Sequence, residues 1–219
     1  MHRLLFEKKG NAVWISHLDL MRLFQRAFKR AGFSLTHTQG FNPRPSVSIA
    51  LPLSVGTQSV CELLDFELDG VGVSCSEILH KLNQTLVDGI RVLDVYNEGK
   101  KIKELAYLDC MLRMEYDSGI PAGAVEQIRS LFDTDTLLVT KKSKNGMQEQ
   151  NIIPMIKKLD ISLDDNRHII LNARVCCQNP SLNPAQLLAA IENYLPDLKP
   201  DWCEITRLEI LDHQETIFR

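Results

Sequence analysis

One order of hydrophobic patterns occurs twice along this chain, and that repetition limits its possible folds more than any other feature. "HRLLFEKK" reads as a strand, and "AVWIS" continues it past a Gly10-Asn11 turn or forms a short partner. Ser16 then caps a helix over "HLDLMRLFQRAFKRAG", where Leu20, Leu23, Phe24, Ala27, Phe28 and Ala31 recur at helical spacing until Gly32 stops it. "FSLTH", "VSIALPL" and "CELLDFEL" read as extended, "SCSEILHKLNQTL" as a helix capped by Ser74 or Ser76, and "IRVLDVY" as a closing strand. The second half repeats strand, helix, strand, strand, helix, strand. Its pieces are "AYLDCMLRMEY", "AGAVEQIRSLF", "TLLVTKK" with a polar turn "SKNGMQEQ", "NIIPMIKKLDISL", "RHIILNARV", "NPAQLLAAIENYL" and "CEITRLEIL". The halves share this order but no sequence identity, and the boundary falls near "NEGKKIKE", residues 97–104.

A β-α-β-β-α-β unit is the split β-α-β, or ferredoxin-like, arrangement, an antiparallel sheet with two helices on one face. The expected fold is therefore α+β, with two tandem ferredoxin-like units over residues 1–100 and 101–219. At 219 residues and 44% hydrophobic content the chain is long and apolar enough for two such cores.

Several function classes are excluded by what is missing. No apolar run approaches the roughly 18 residues of a membrane span, and "MHRLLFEKKG" lacks the apolar core of a signal peptide, so the expected compartment is the cytoplasm. Cys61, Cys75, Cys110, Cys176, Cys177 and Cys203 form no C-x-x-C pair and no Cys/His array. Neither a metal nor another cofactor is expected from that spacing, because metal sites usually draw two ligands from one short turn. P-loop, G-x-G-x-x-G, G-x-S-x-G and H-E-x-x-H motifs are all absent. These absences favour a binding module over an enzyme.

Charge supplies the positive signal. Overall the chain is at -3, yet residues 1–50 hold eight Lys/Arg against Glu7 and Asp19, while residues 51–100 hold three basic and eight acidic residues. That asymmetry points to a local anion-binding face. Arg22, Arg26 and Arg30 are spaced by four and align on one face of the first helix with Lys29 beside them. Such a row also serves as an ordinary solvated helix face. The segment "THTQGFNPRPSVSIALPLSVG" follows, holding Gln39, Phe41, Asn42 and Arg44 among prolines and glycines. An arginine fork for phosphate beside an aromatic ring for a base is a common way to hold single-stranded RNA; alternatively, Phe41 plugs the core. His17 is a candidate general base for RNA cleavage or an aid in holding an anion at the helix N-terminus; alternatively it is a helix-start histidine bonded to nearby backbone. Lys141, Lys142 and Lys144 would sit on a hairpin, either as solvated turn residues or as further phosphate contacts.

The stretches "WISHLDLMRLFQRAFKRAGF" and "TQGFNPRPSVSIALPLSVG", followed by "ELLDFEL", closely resemble the radical-SAM-linked proteins, a bacterial family of unknown function. The matching residues are Ser16, His17, Asp19, Arg22, Gln39, Gly40, Phe41, Asn42, Pro43 and Gly56. The resemblance implies a stand-alone accessory partner of a radical SAM protein. The chain has no C-x-x-x-C-x-x-C with which to bind that enzyme's cluster. The resulting expectation is a non-catalytic accessory protein that binds RNA, either tRNA or rRNA, through its basic N-terminal face. The alternatives are a purely protein-binding subunit docking on the radical SAM partner, and a metal-independent endoribonuclease using His17.

Overall fold

The computed structural model describes residues 1–70, 72–143 and 146–219, with the backbone alone at 142 and 143. The fold is α+β and divides into two compact units, Met1–Glu104 with Phe218–Arg219, and Leu105–Ile217. Among the described residues no helix is long and apolar enough to cross a membrane.

The first unit runs β1 (His2–Lys8), α1 (His17–Arg30), β2 (Val47–Ile49), β3 (Gln58–Phe66), α2 (Cys75–Asn83) and β4 (Ile90–Asn97). Its strands lie in the order β4-β1-β3-β2, and each adjacent pair is antiparallel. Leu20, Phe24, Ala27 and Phe28 form the buried stripe of α1. Phe24 meets Phe6 of β1 edge-on at 4.8 Å, and Phe28 tilts against Phe66 of β3 at 4.7 Å. Burying each such ring contributes about 1.5–3 kcal/mol. Ile78 and Leu82 of α2 complete the same core.

Four local expectations are corrected. "AVWIS" is not a strand: Gly10–Trp14 is a 3-10 turn, started by Gly10 at φ +54. "FSLTH" makes only isolated bridges, Leu35 to Leu68 and His37 to Pro45, since a proline has no N–H to extend a ladder. "VSIALPL" is a strand only over Val47–Ile49, ending before Pro52. The polar "GMQEQN", expected within a turn, is itself a strand.

That strand belongs to the second unit: β5 (Leu105–Glu115), α3 (Ala124–Phe132), β6 (Leu138–Ser143), β7 (Gly146–Asn151), β8 (Ile156–Leu163), β9 (His168–Cys176), α4 (Ala185–Tyr194) and β10 (Trp202–Asp212). Its main sheet is antiparallel in the order β10-β5-β9-β8. β6 and β7 pair only with each other, as a ribbon inserted between α3 and β8. Strict alternation on β5 and β9 buries one face of the main sheet, with Leu112 opposite Leu171 and Met114 opposite Ile169. The residues of β7 are mostly exposed, so that strand carries no apolar alternation in the sequence.

A buried ion pair fastens the first sheet. Arg3 of β1 stands opposite Asp65 of β3 and donates Nε and Nη2 to its carboxylate at 2.5 and 2.9 Å. Its Nη1 donates to the Lys100 carbonyl at 3.0 Å, and the guanidinium lies 5.2 Å from the Phe218 ring centre. Gly99 passes so close to this guanidinium that a Cβ there would collide with it. Removing one partner of a buried pair typically costs about 3–5 kcal/mol. Asp65→Ala is therefore expected to lower unfolding stability by about that amount, read from urea titration followed by circular dichroism. A loss below about 1 kcal/mol would mean that the pair is effectively hydrated.

Candidate functional site

The basic face of α1 depends on how the helix begins. Lys8, only 1% exposed at the end of β1, donates Nζ to the carbonyls of Val13 at 3.1 Å and Ile15 at 2.8 Å. Burial lowers its pKa, with Glu62 opposing that shift. The 3-10 turn is thus tied to the strand before it. Gly56 holds the turn from the other side: its N–H donates to the Val13 carbonyl at 2.9 Å, and its Cα lies under the Trp14 ring. At φ +84, with Trp14 carbon 3.5 Å from where a Cβ would sit, this position suits glycine.

Ser16 follows as the N-cap. Its hydroxyl accepts from the Asp19 N–H at 3.2 Å and donates to the Asp19 carboxylate at 2.8 Å. That hydroxyl, with the Arg22 guanidinium 3.0 Å away, holds the Asp19 carboxyl below the usual carboxylate range. From this start Arg22, Arg26 and Arg30 all line one cavity of about 480 Å³. Ile15, Asp19, Leu23 and Val87 complete its lining. Leu23, expected in the core, is half-buried at its edge. Arg30 is held at the far end, donating to the Thr85 carbonyl at 2.6 Å. Arg26 is exposed, and its charge also acts on the Asp19 carboxylate. Asp88, beside Val87, does not line this cavity.

The loop is built differently. Thr38 N–H donates to the Arg44 carbonyl at 2.8 Å, and Arg44 N–H to the Thr38 hydroxyl at 3.1 Å. Those bonds pin a tip of Gln39, Gly40, Phe41, Asn42 and Pro43, all exposed. Phe41 is fully exposed at 112%, so it does not plug the core. None of residues 39–44 lines the arginine cavity. The structure thus gathers three of the expected residues and sets the loop apart from them.

The other candidates scatter. Lys29 is exposed but outside the cavity. His17 is half-buried, with Nδ1 buried and without a hydrogen bond. Lys141 donates to the Ser181 carbonyl at 3.5 Å; the Lys142 side chain and Lys144 lie outside the described residues. Two of the eight N-terminal cations, Arg3 and Lys8, are buried and contribute nothing to the surface. Sequence reasoning missed Val87, which lines the cavity from the link after α2, and Thr85, whose carbonyl holds Arg30; neither carries a local signal.

Among the described residues one group, Asp164, Asp165 and His168, could offer metal-ligand atoms near one another. Its atoms are already engaged: Asp165 accepts from Arg167 N–H and His168 N–H, and Asp164 pairs with Arg113. Among the described residues no disulfide joins the six cysteines. Burial pushes the thiols of Cys110 and Cys203 up to about 12 and that of Cys177 up to about 11, which leaves them poor nucleophiles.

The fold and this geometry define an α+β protein of two antiparallel-sheet units, the first with an arginine-lined cavity on its leading helix. Residues 2–184 match the family described as "Uncharacterized protein conserved in bacteria (DUF2344)", and the chain belongs to that family. No curated protein matches it. Among solved structures, it is similar to a chain of a Cbf5-Nop10-Gar1 complex, with TM-score 0.50 and 8% identity over 95% of this chain and 48% of that one. A chain of an archaeal box H/ACA sRNP Nop10-Cbf5 complex gives TM-score 0.46 and 9% identity, over 94% and 46%. An unknown protein from Galdieria sulphuraria gives TM-score 0.26 and 9% identity, over 94% and 96%. The chain spans about half the length of the first two. The first likeness shows the fold alone, and the other two carry no argument.

Lys8→Met keeps the length of the stem but removes its donors. The expected cost is about 1–3 kcal/mol in a thermal or urea melt, from the Ile15 carbonyl losing its ammonium donor and the Val13 carbonyl keeping only the Gly56 N–H. The loosened turn should also shift Trp14 emission; an unaltered melt and spectrum would show that the turn does not need the ammonium.

Proposed function

We propose that this protein is a non-catalytic, RNA-binding accessory subunit that acts beside a radical SAM protein in the cytoplasm, and that its two halves are ferredoxin-like units. The observation that carries the RNA reading is the cavity shared by Arg22, Arg26 and Arg30. Three guanidiniums on one wall form a site for phosphate oxygens, because each presents several N–H donors with a charge that does not titrate. The ferredoxin-like assignment is supported by the strand orders β4-β1-β3-β2 and β10-β5-β9-β8. Each equals the order 4-1-3-2 of a βαββαβ unit once the inserted β6–β7 ribbon is set aside. The radical SAM partner rests on the resemblance of the "ISHLDLMR" and "QGFNPRP" stretches.

Arg22→Glu with Arg26→Glu is expected to weaken binding of tRNA or rRNA fragments at least tenfold at low salt, measured by filter retention. Equal retention by wild type and variant would remove the reading.

A second reading has its own observation, the fully exposed Phe41 on a pinned tip. A preordered aromatic loses little entropy on docking, so the tip suits a pocket on the radical SAM partner. Phe41→Ala should leave stability within about 0.5 kcal/mol of wild type. It should weaken binding to the purified partner by about 2 kcal/mol in calorimetry after nuclease treatment. An unchanged affinity would take the tip out of that interface.

A further inference from the structure

We infer that the arginine cavity holds one unpaired nucleic-acid strand with its backbone running along α1, successive phosphates lying against Arg22, Arg26 and Arg30. This rests on the RNA reading above and assigns it a register and a substrate form. Residues four apart on a helix rise by about 6 Å, close to the spacing of neighbouring phosphates on one strand. Arg30 is already fixed by the Thr85 carbonyl, so that position is preorganised, while Arg26 is exposed one turn away on the same face. Arg22 is held by Asp19 in an exposed pair, with side chains 62% and 61% accessible, which a phosphate can displace at little cost. Apart from the arginines and Asp19 the lining is apolar: Ile15, Leu23 and exposed Val87. An unpaired strand can press sugars and bases against those side chains, whereas a duplex turns its bases inward. The volume of about 480 Å³ lies in the usual ligand-pocket range of about 300–1,000 Å³. Among the described residues of the lining Asp19 is the only acid, and it pairs with Arg22 at the start of the row.

The register is tested with fluorescein-labelled uridine oligonucleotides of two, four and ten nucleotides on the intact protein, by anisotropy over a salt series. Affinity should climb until three consecutive phosphates are present, and thereafter grow only with the number of binding positions. The slope of log K against log salt should be about -2, from three phosphates at roughly 0.7 each. Arg26→Ala and Arg30→Ala should each reduce its magnitude by about 0.7. Asp19→Asn, which releases Arg22, should tighten binding about two- to fivefold. A duplex of equal charge should bind more weakly than the single strand. If the ten-nucleotide strand binds but neither arginine variant alters the slope, the register is wrong while the RNA reading stands. Equal competition by polyglutamate, or equal binding of the duplex, also overturns it. No binding of any oligonucleotide at low salt overturns both readings.

Discussion

A buried ammonium sets the geometry on which the first unit depends. Lys8 ends the central strand β1, and its donations to the Val13 and Ile15 carbonyls hold the 3-10 turn that leads into α1. A charge at 1% exposure persists only where acceptors replace its hydration, and these two carbonyls do so. The rotational setting of α1 follows from that anchor together with the Phe24 and Phe28 contacts. Once the aromatic face is turned to the sheet, helical spacing carries Arg22, Arg26 and Arg30 to the side where Val87 meets them. A residue of the core strand thereby aims the arginines without touching them.

Charge in the first fifty residues serves two purposes. Arg3 and Lys8 are inside, each satisfied by a carboxylate or carbonyls, and they fasten strand to strand or strand to turn. Arg22, Arg26, Lys29, Arg30 and Arg44 are exposed, but only the three arginines on one helical line share a cavity. Arg44 belongs to a separate presenting device, the loop closed at Thr38. The arginine-lined cavity on α1 and the projecting aromatic tip are thus two separate features, built from different segments of the chain.

The second unit places its strongest electrostatics on a sheet instead of a helix. Arg174 of β9 stands opposite Asp109 of β5 and donates to both its carboxylate oxygens, at 2.7 and 2.8 Å. Glu215 pairs with the same guanidinium and with Lys158 of β8, and those two cations hold its carboxyl below the usual range. The guanidinium is saturated by these carboxylates, so the network stabilises the face of the sheet and leaves little donor capacity for a ligand.

The α+β class, the four helices and the arginine row were legible in the sequence because each rests on local periodicity: 3.6 residues for helices and two for half-buried strands. Ser16 as the cap was visible for the same local reason. The 3-10 turn in "AVWIS" was not, because its cause is a lysine whose burial no neighbour reveals. β7 was not, because a ribbon exposed on both faces has no apolar pattern. The sequence by itself determined which residues could share a helical face, since that follows from chain geometry alone. Only the tertiary structure decided that Val87 would line a cavity with that face while the Thr85 carbonyl holds Arg30, that Phe41 would be exposed, and that Arg3 and Lys8 would be withdrawn from the surface. Those outcomes depend on segments far apart in the chain, and no local pattern encodes which of them meet.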